Sequence, residues 1–131
     1  MGGGTISWSS KKQPTVTLSS TEAEYIAGAH TVKEAIWLRL LLSELGQDMS
    51  LPTTLHIDNQ STMAIMQNPE FHKRTKHIDI RYHYIQQVVN DGMVHLTYTL
   101  TQEQVADVLT KGLPPASHIK FTGAMGVLRL A

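Results

Sequence analysis

Apolar side chains recur along this chain with two periods, one near 3.6 residues and one of 2, and the switches between them mark its elements. From Thr21 to Leu45 the recurrence is helical. Ser19 with Glu22 three residues on has the form of a capping box, and Gly46 stands where a glycine would end the helix. Thr54 to Asp58 alternates instead, with Leu55 and Ile57 on one face and Thr54, His56 and Asp58 on the other. A short helix is predicted over Ser61–Gln67, before Pro69. Thr75–Asn90 returns to helical spacing through Ile78, Tyr82, Ile85 and Val89, and Asp91-Gly92 closes it. Met93–Thr99 reads as a second strand in which Val94, Leu96 and Tyr98 alternate.

The ends of the chain carry weaker patterns. Ile6–Lys11 has a short β signal that the Gln13-Pro14 step breaks. Thr101–Lys111 reads as a helix, with a Thr101-x-x-Gln104 capping box and Gly112 beyond its end, and residues 117–130 as a terminal helix. Strand, helix, strand, helices, strand, helix is an α/β order and implies at least one parallel pair.

Three acids stand out against this framework. At 100° per residue, Glu24 shares a stripe with Ala27, Gly28, Thr31, Ala35, Leu38, Leu42 and Leu45, while Lys33 and Glu44 lie opposite. That places Glu24 over the buried face and leaves Glu22 to the cap. A buried-face acid is costly unless it is paired or metal-bound; the alternative is a solvated first-turn acid favoured by the helix dipole. Asp58 ends a strand, where open parallel sheets bind ligands, or else it is the N-cap of the next helix. Asp107 sits beside Val108 and Leu109 and, read alone, is a surface acid.

The strongest basic cluster is His72-Lys73-Arg74-Thr75-Lys76-His77, with Arg81 a turn later. Lys73, Arg74 and Lys76 are candidate phosphate contacts, or a solvated helix start. Lys11 and Lys12 form a second candidate. Trp8 and Trp37 read as packing residues, and His56, His83 and His95 have no metal-ligand spacing.

The run from Ser19 to Tyr25 that contains Glu24, His56-Ile57-Asp58-Asn59-Gln60-Ser61, the run from Gln104 to Lys111 that contains Asp107, and Ile6-Ser7-Trp8-Ser9-Ser10-Lys11-Lys12-Gln13 occur in one order over nearly the whole chain. Together they closely resemble the ribonuclease H domain of copia-type LTR retrotransposon polyproteins. The resemblance implies a ribonuclease H-like mixed sheet flanked by helices. It implies that Glu24, Asp58 and Asp107 are metal ligands and catalytic residues, and that Mg²⁺ or Mn²⁺ is the cofactor. The implied reaction is endonucleolytic cleavage of RNA in an RNA/DNA hybrid. Two such ions about 4 Å apart activate a water and stabilise the leaving oxygen of a phosphodiester, and carboxylates are the hard ligands they prefer.

In that family a further aspartate, on an earlier strand, bridges both ions. The first aspartate here is Asp48. The expectation is one truncated domain over residues 1–131 that lacks the first two strands of the family fold and has absent or strongly impaired activity. Without those strands, the Thr54–Asp58 strand is expected to expose an edge; either the Ile6 strand shifts into the gap or a second copy covers it, and the expectation is self-association into a homo-oligomer. The alternative function is a non-catalytic dimerisation or protein-interaction module that keeps only the fold. A third reading is a working enzyme whose missing strands lie on another chain.

Composition narrows this picture in three ways. Eleven basic and eleven acidic side chains cancel, so any nucleic-acid surface is a local patch and not a global field. With 41% hydrophobic and 17% charged residues, the 131-residue chain can bury a core. There is no cysteine, no membrane-length apolar run and no signal-like start, which together lead to the expectation of an intracellular protein with no membrane partner.

Overall fold

The computed structural model describes residues 3–13, 20–67, 76–127, with side chains of 76–82 left aside. Four α-helices and two strands occur in the described residues: α1 (Ser20–Glu44), β1 (Thr53–Ile57), α2 (Gln60–Gln67), α3 (Lys76–Asn90), β2 (Val94–Tyr98) and α4 (Pro115–Ala124). The strands pair in parallel, from Thr53 opposite Val94 to Ile57 opposite Tyr98. Parallel neighbours need a long crossover, and here α2 and α3 lie within it. The α/β class and the parallel pair are as the sequence predicts. Among the described residues the sheet has two strands. No helix among them is long and apolar enough to cross a membrane.

The chain forms two compact units, one of Thr15–Thr99 and one joining Met1–Pro14 to Leu100–Ala131. The larger unit has the core. Tyr25, Ala29 and Val32 of α1 meet Met66 of α2, Ile85 and Val88 of α3, and Val94 and Leu96 of β2, all buried. α1 and α2 approach closely because residue 28 is glycine. A Cβ there would stand 2.1 Å from the Met66 methyl carbon. α1 and α3 end as their glycines predict: Gly46 and Gly92 adopt φ of +81° and +70°. The Gln47 N–H then donates to the Leu42 carbonyl, and the Met93 N–H to that of Val88, which satisfies carbonyls the helix leaves open.

The connection from α1 to β1 is held by a residue that the sequence pattern does not single out. Arg39 donates to the carbonyls of Met49 and Leu51 and to the Thr53 hydroxyl, the last two at 2.8 and 2.9 Å. In the same loop Asp48 accepts from the Ser50 N–H at 2.9 Å.

Four expectations fail here. The buried stripe of α1 is Tyr25, Ala29, Val32 and Ala35. It is rotated by about one residue, roughly 100°, from the stripe that contains Glu24. Tyr25 and Val32 determine the rotation, and Glu24 is consequently exposed while Glu22 is half-buried. Ile6–Lys11 forms no strand, because a strand requires a ladder partner and the described sheet pairs β1 only with β2; next to the segment, the Thr5 N–H donates to the carbonyl of Met125, just past α4, at 2.8 Å. Thr101–Lys111 is not one helix but two 3₁₀ turns, Thr101–Glu103 and Val105–Leu109. Gln104 between them has extended φ and ψ of −73° and 101°, so no capping box forms. The last helix starts at Pro115, where proline suits a first turn, and ends at Ala124, not at residue 130. The Ser19 cap lies outside the described residues.

In the smaller unit, Phe121 of α4 is buried. Gly126, at φ +75°, ends α4, and a Cβ on it would stand 2.6 Å from the Gly4 Cα. That contact binds the start of the chain to the end of the helix.

Candidate functional site

The carboxyl ends of two parallel strands form one polar edge. β1 delivers Asp58 there and β2 delivers Thr99, whose N–H extends the ladder by donating to the Ile57 carbonyl at 2.9 Å. Beside them the His56 Nδ1 and the Thr99 hydroxyl lie 2.9 Å apart. This is the position at which open α/β sheets present ligand-binding groups.

Asp58 does not cap α2; Asn59 does. The Asn59 Oδ1 accepts from the Thr62 N–H at 2.9 Å, and its carbonyl accepts from the Met63 N–H at 3.0 Å. Asp58 is half-buried, and among the described residues no hydrogen bond or ion pair engages its carboxylate. The capping alternative is therefore excluded for Asp58. Cap formation also links α2 to α1, because the buried Thr62 hydroxyl donates to the Thr21 carbonyl at 3.3 Å. Glu24 lies about one turn along α1 from Thr21. The Thr62–Thr21 bond sets the starts of α1 and α2 side by side; Glu24 on α1 is exposed and Asp58, just before α2, is half-buried.

Asp107 belongs to the smaller unit. It opens the turn that ends at Lys111, whose ammonium donates to Asp107 Oδ2 at 2.8 Å and whose N–H donates to the Asp107 carbonyl, also at 2.8 Å. The Asp107 side chain is 14% exposed and that of its partner lysine 51%, so the pair has one half-buried end and one wet end. In neither unit do three described His, Asp or Glu side chains gather closely enough to hold a metal ion. Carboxylates are the donors a hard divalent cation prefers, and Asp58 is one that no other described group engages.

The basic candidates divide differently. Lys11 and Lys12 are exposed on the segment that forms no strand. Lys73 and Arg74 lie outside the described residues, and Lys76 opens α3. Sequence reasoning missed Asn59, Thr62 and Arg39. The signal for Asn59 was present: asparagine is a favoured cap residue and Thr62 stands three residues on. Arg39 left no such signal, since its partners are backbone carbonyls.

Comparison with known proteins adds a different kind of observation. The chain is 42% identical, over 130 residues, to the retrovirus-related Pol polyprotein from transposon RE2 of Arabidopsis thaliana, an alignment that covers 99% of the chain and 9% of that protein. It is 47% identical over 112 residues to the corresponding polyprotein from transposon TNT 1-94 of Nicotiana tabacum, covering 86% and 8%. The chain is a homologue of transposon-encoded Pol polyproteins. The similarity extends to the transposon Ty1-DR5 Gag-Pol polyprotein of Saccharomyces cerevisiae, at 31% over 118 residues, 87% of the chain and 6% of the polyprotein. The chain thus spans less than a tenth of the length of these curated Pol relatives. No protein-family model and no solved structure matches it.

Proposed function

We propose that these residues are the ribonuclease H-like region of a retrotransposon Pol polyprotein, whose reaction is hydrolysis of the RNA strand of an RNA/DNA hybrid. The observation that supports this most is Asp58. It is an acid at the carboxyl edge of a parallel pair, in a chain homologous to Pol polyproteins, and Asn59 relieves it of the structural role that would otherwise explain it. By the resemblance, Glu24 and Asp107 are the further carboxylates that would hold Mg²⁺ or Mn²⁺. Such an ion, when bound, supplies a water acidic enough to attack a phosphodiester. Lys11, Lys12, Lys73, Arg74 and Lys76 are the groups for the hybrid backbone, and zero net charge makes their contribution local and salt-sensitive.

The test is calorimetric titration of the 131-residue chain with Mn²⁺ alongside a hybrid-cleavage assay. Because the described acids form no trio within either unit, weak metal binding and little or no cleavage are expected. Asp58→Asn should lower Mn²⁺ affinity by about tenfold or more, and Glu24→Gln should lower it more than Glu22→Gln does. Equal affinity in Asp58→Asn and the parent would remove Asp58 from the site and end this reading.

A further inference from the structure

α1 is apolar on two sides. One stripe, Tyr25, Ala29, Val32 and Ala35, lies in the core of the larger unit. Outside that stripe, in the C-terminal half, Trp37, Leu40, Leu41 and Leu45 are 55%, 63%, 41% and 64% exposed, with Trp37, Leu41 and Leu45 far from it and Leu40 at its margin. Four large apolar side chains on one helix face are more than the scattered exposed residues of an ordinary monomer surface. Helix propensity does not require them, since lysine, glutamate and alanine serve a solvated face as well.

The charges at the two ends of this face indicate its partner. At 100° per residue, Lys33 and Glu44 both fall within about 40° of Trp37, and both are exposed. The face therefore reads Lys33, Trp37, Leu40 and Leu41, Glu44 from one end to the other, with Lys33 near its start, Glu44 at its finish and the exposed Glu34 on the rim beside Leu41. Lys33 and Glu44 are about 16 Å apart along the axis, too far to pair within one helix. A second copy running antiparallel, about a two-fold axis between Leu38 and Arg39, brings each Lys33 against the other's Glu44. It also sets each Trp37 over the other's Leu40 and Leu41. A surface that is its own complement under a two-fold rotation is what an isologous contact requires.

We propose that the outer face of α1 is a homodimer interface, two antiparallel copies of the helix packed through Trp37, Leu40 and Leu41 with reciprocal Lys33–Glu44 pairs at the ends. This relocates self-association from the edge of β1 to a helix face. It stands independently of the ribonuclease H reading, since it uses none of the proposed metal ligands.

Sedimentation equilibrium on the 131-residue chain, from micromolar to several hundred micromolar, is the test. A monomer–dimer equilibrium is expected, and Leu41→Glu should weaken it by roughly 100-fold or more, since each copy then buries an unpaired carboxylate against the other's Trp37. Trp37→Lys is the second variant, and far-UV circular dichroism with a melting curve confirms that both remain folded. Lys33→Glu should weaken association by roughly 2- to 30-fold, because two pairs are lost at once. The double reversal Lys33→Glu with Glu44→Lys should restore it, because both reciprocal pairs re-form with opposite polarity. A monomer throughout the range would overturn the proposal. So would a dimer indifferent to Leu41→Glu, which would place the contact elsewhere. A double reversal that fails to recover would exclude the antiparallel two-fold.

Discussion

The two units of this chain are built by different means. The larger unit closes around a core drawn from three helices and a strand, with Val32, Met66 and Ile85 fully buried at its centre. The smaller unit relies on one buried phenylalanine, a glycine-to-glycine approach, a backbone bond from Thr5 to Met125 and an ion pair within one turn. The candidate acids follow the same division. Asp58 and Glu24 stand on elements fixed by core packing, whereas Asp107 stands on a turn fixed by its own lysine. The larger core and two of the three candidate acids lie in the same unit, Thr15–Thr99.

Ile85→Ala offers the sharpest way to break this contrast. The side chain is fully buried among α1, α2 and β2, so about 2–5 kcal/mol should be lost, read as a fall in the urea midpoint. A loss below 1 kcal/mol would mean that this core does not carry the larger unit. Gly126→Ala probes the other side. The new methyl meets the Gly4 Cα and the residue keeps a positive φ, which together should cost about 2 kcal/mol or more. Hydrogen exchange at the Thr5 amide should accelerate, while amides of α3 keep their protection. Acceleration of both would show that the units unfold as one.

A smaller effect separates the two neighbours at the end of β1. Asn59→Ala removes the α2 cap and should cost about 1 kcal/mol, whereas Asp58→Asn should leave the melting temperature nearly unchanged. The reverse order would return Asp58 to a structural role. The smallest effect concerns acid. The Ser50 N–H and, after it, the Ser50 hydroxyl hold the Asp48 carboxyl below its ordinary value. A depressed carboxylate adds stability that is present above its unfolded pKa, about 4, and is lost as pH falls through the lower folded value. Asp48 is fully exposed, so Asp48→Asn should flatten the acid limb of the melting curve only slightly. A large change would reveal a second partner.

The larger unit was the legible one. β1, α2, α3 and β2 fall within a residue or two of the elements that periodicity and the closing glycines predict, because local pattern and tertiary burial agree there. The failures occur where they disagree. In α1 two apolar stripes compete, and counting residues gave weight to Leu38, Leu42 and Leu45, while packing selected Tyr25 and Val32. At Ile6 the alternation is genuine, yet a strand is a property of two segments and the sequence of one does not reveal the other. At Gln104 a capping pattern is present and the backbone turns away from it. Asp58 was legible as a candidate, but only the cap on Asn59 distinguished it from the structural alternative. On the apolar outer face of α1, Trp37 was read as a packing residue and Leu45 was credited to the buried stripe, while Leu40 and Leu41 were not singled out.

The Arg39 clamp has a practical corollary. Residues 47–52 form a loop that is mostly exposed, the profile usually chosen for an epitope tag or a protease site. Three acceptors of this loop and of β1's first residue converge on one guanidinium, so lengthening the loop by even a few residues would move carbonyls away from a fork that cannot follow. Exposure here does not mean slack. The connection should resist limited trypsin digestion at Arg39 itself, and a tag inserted at Ser50 should be tolerated less well than its solvent exposure suggests.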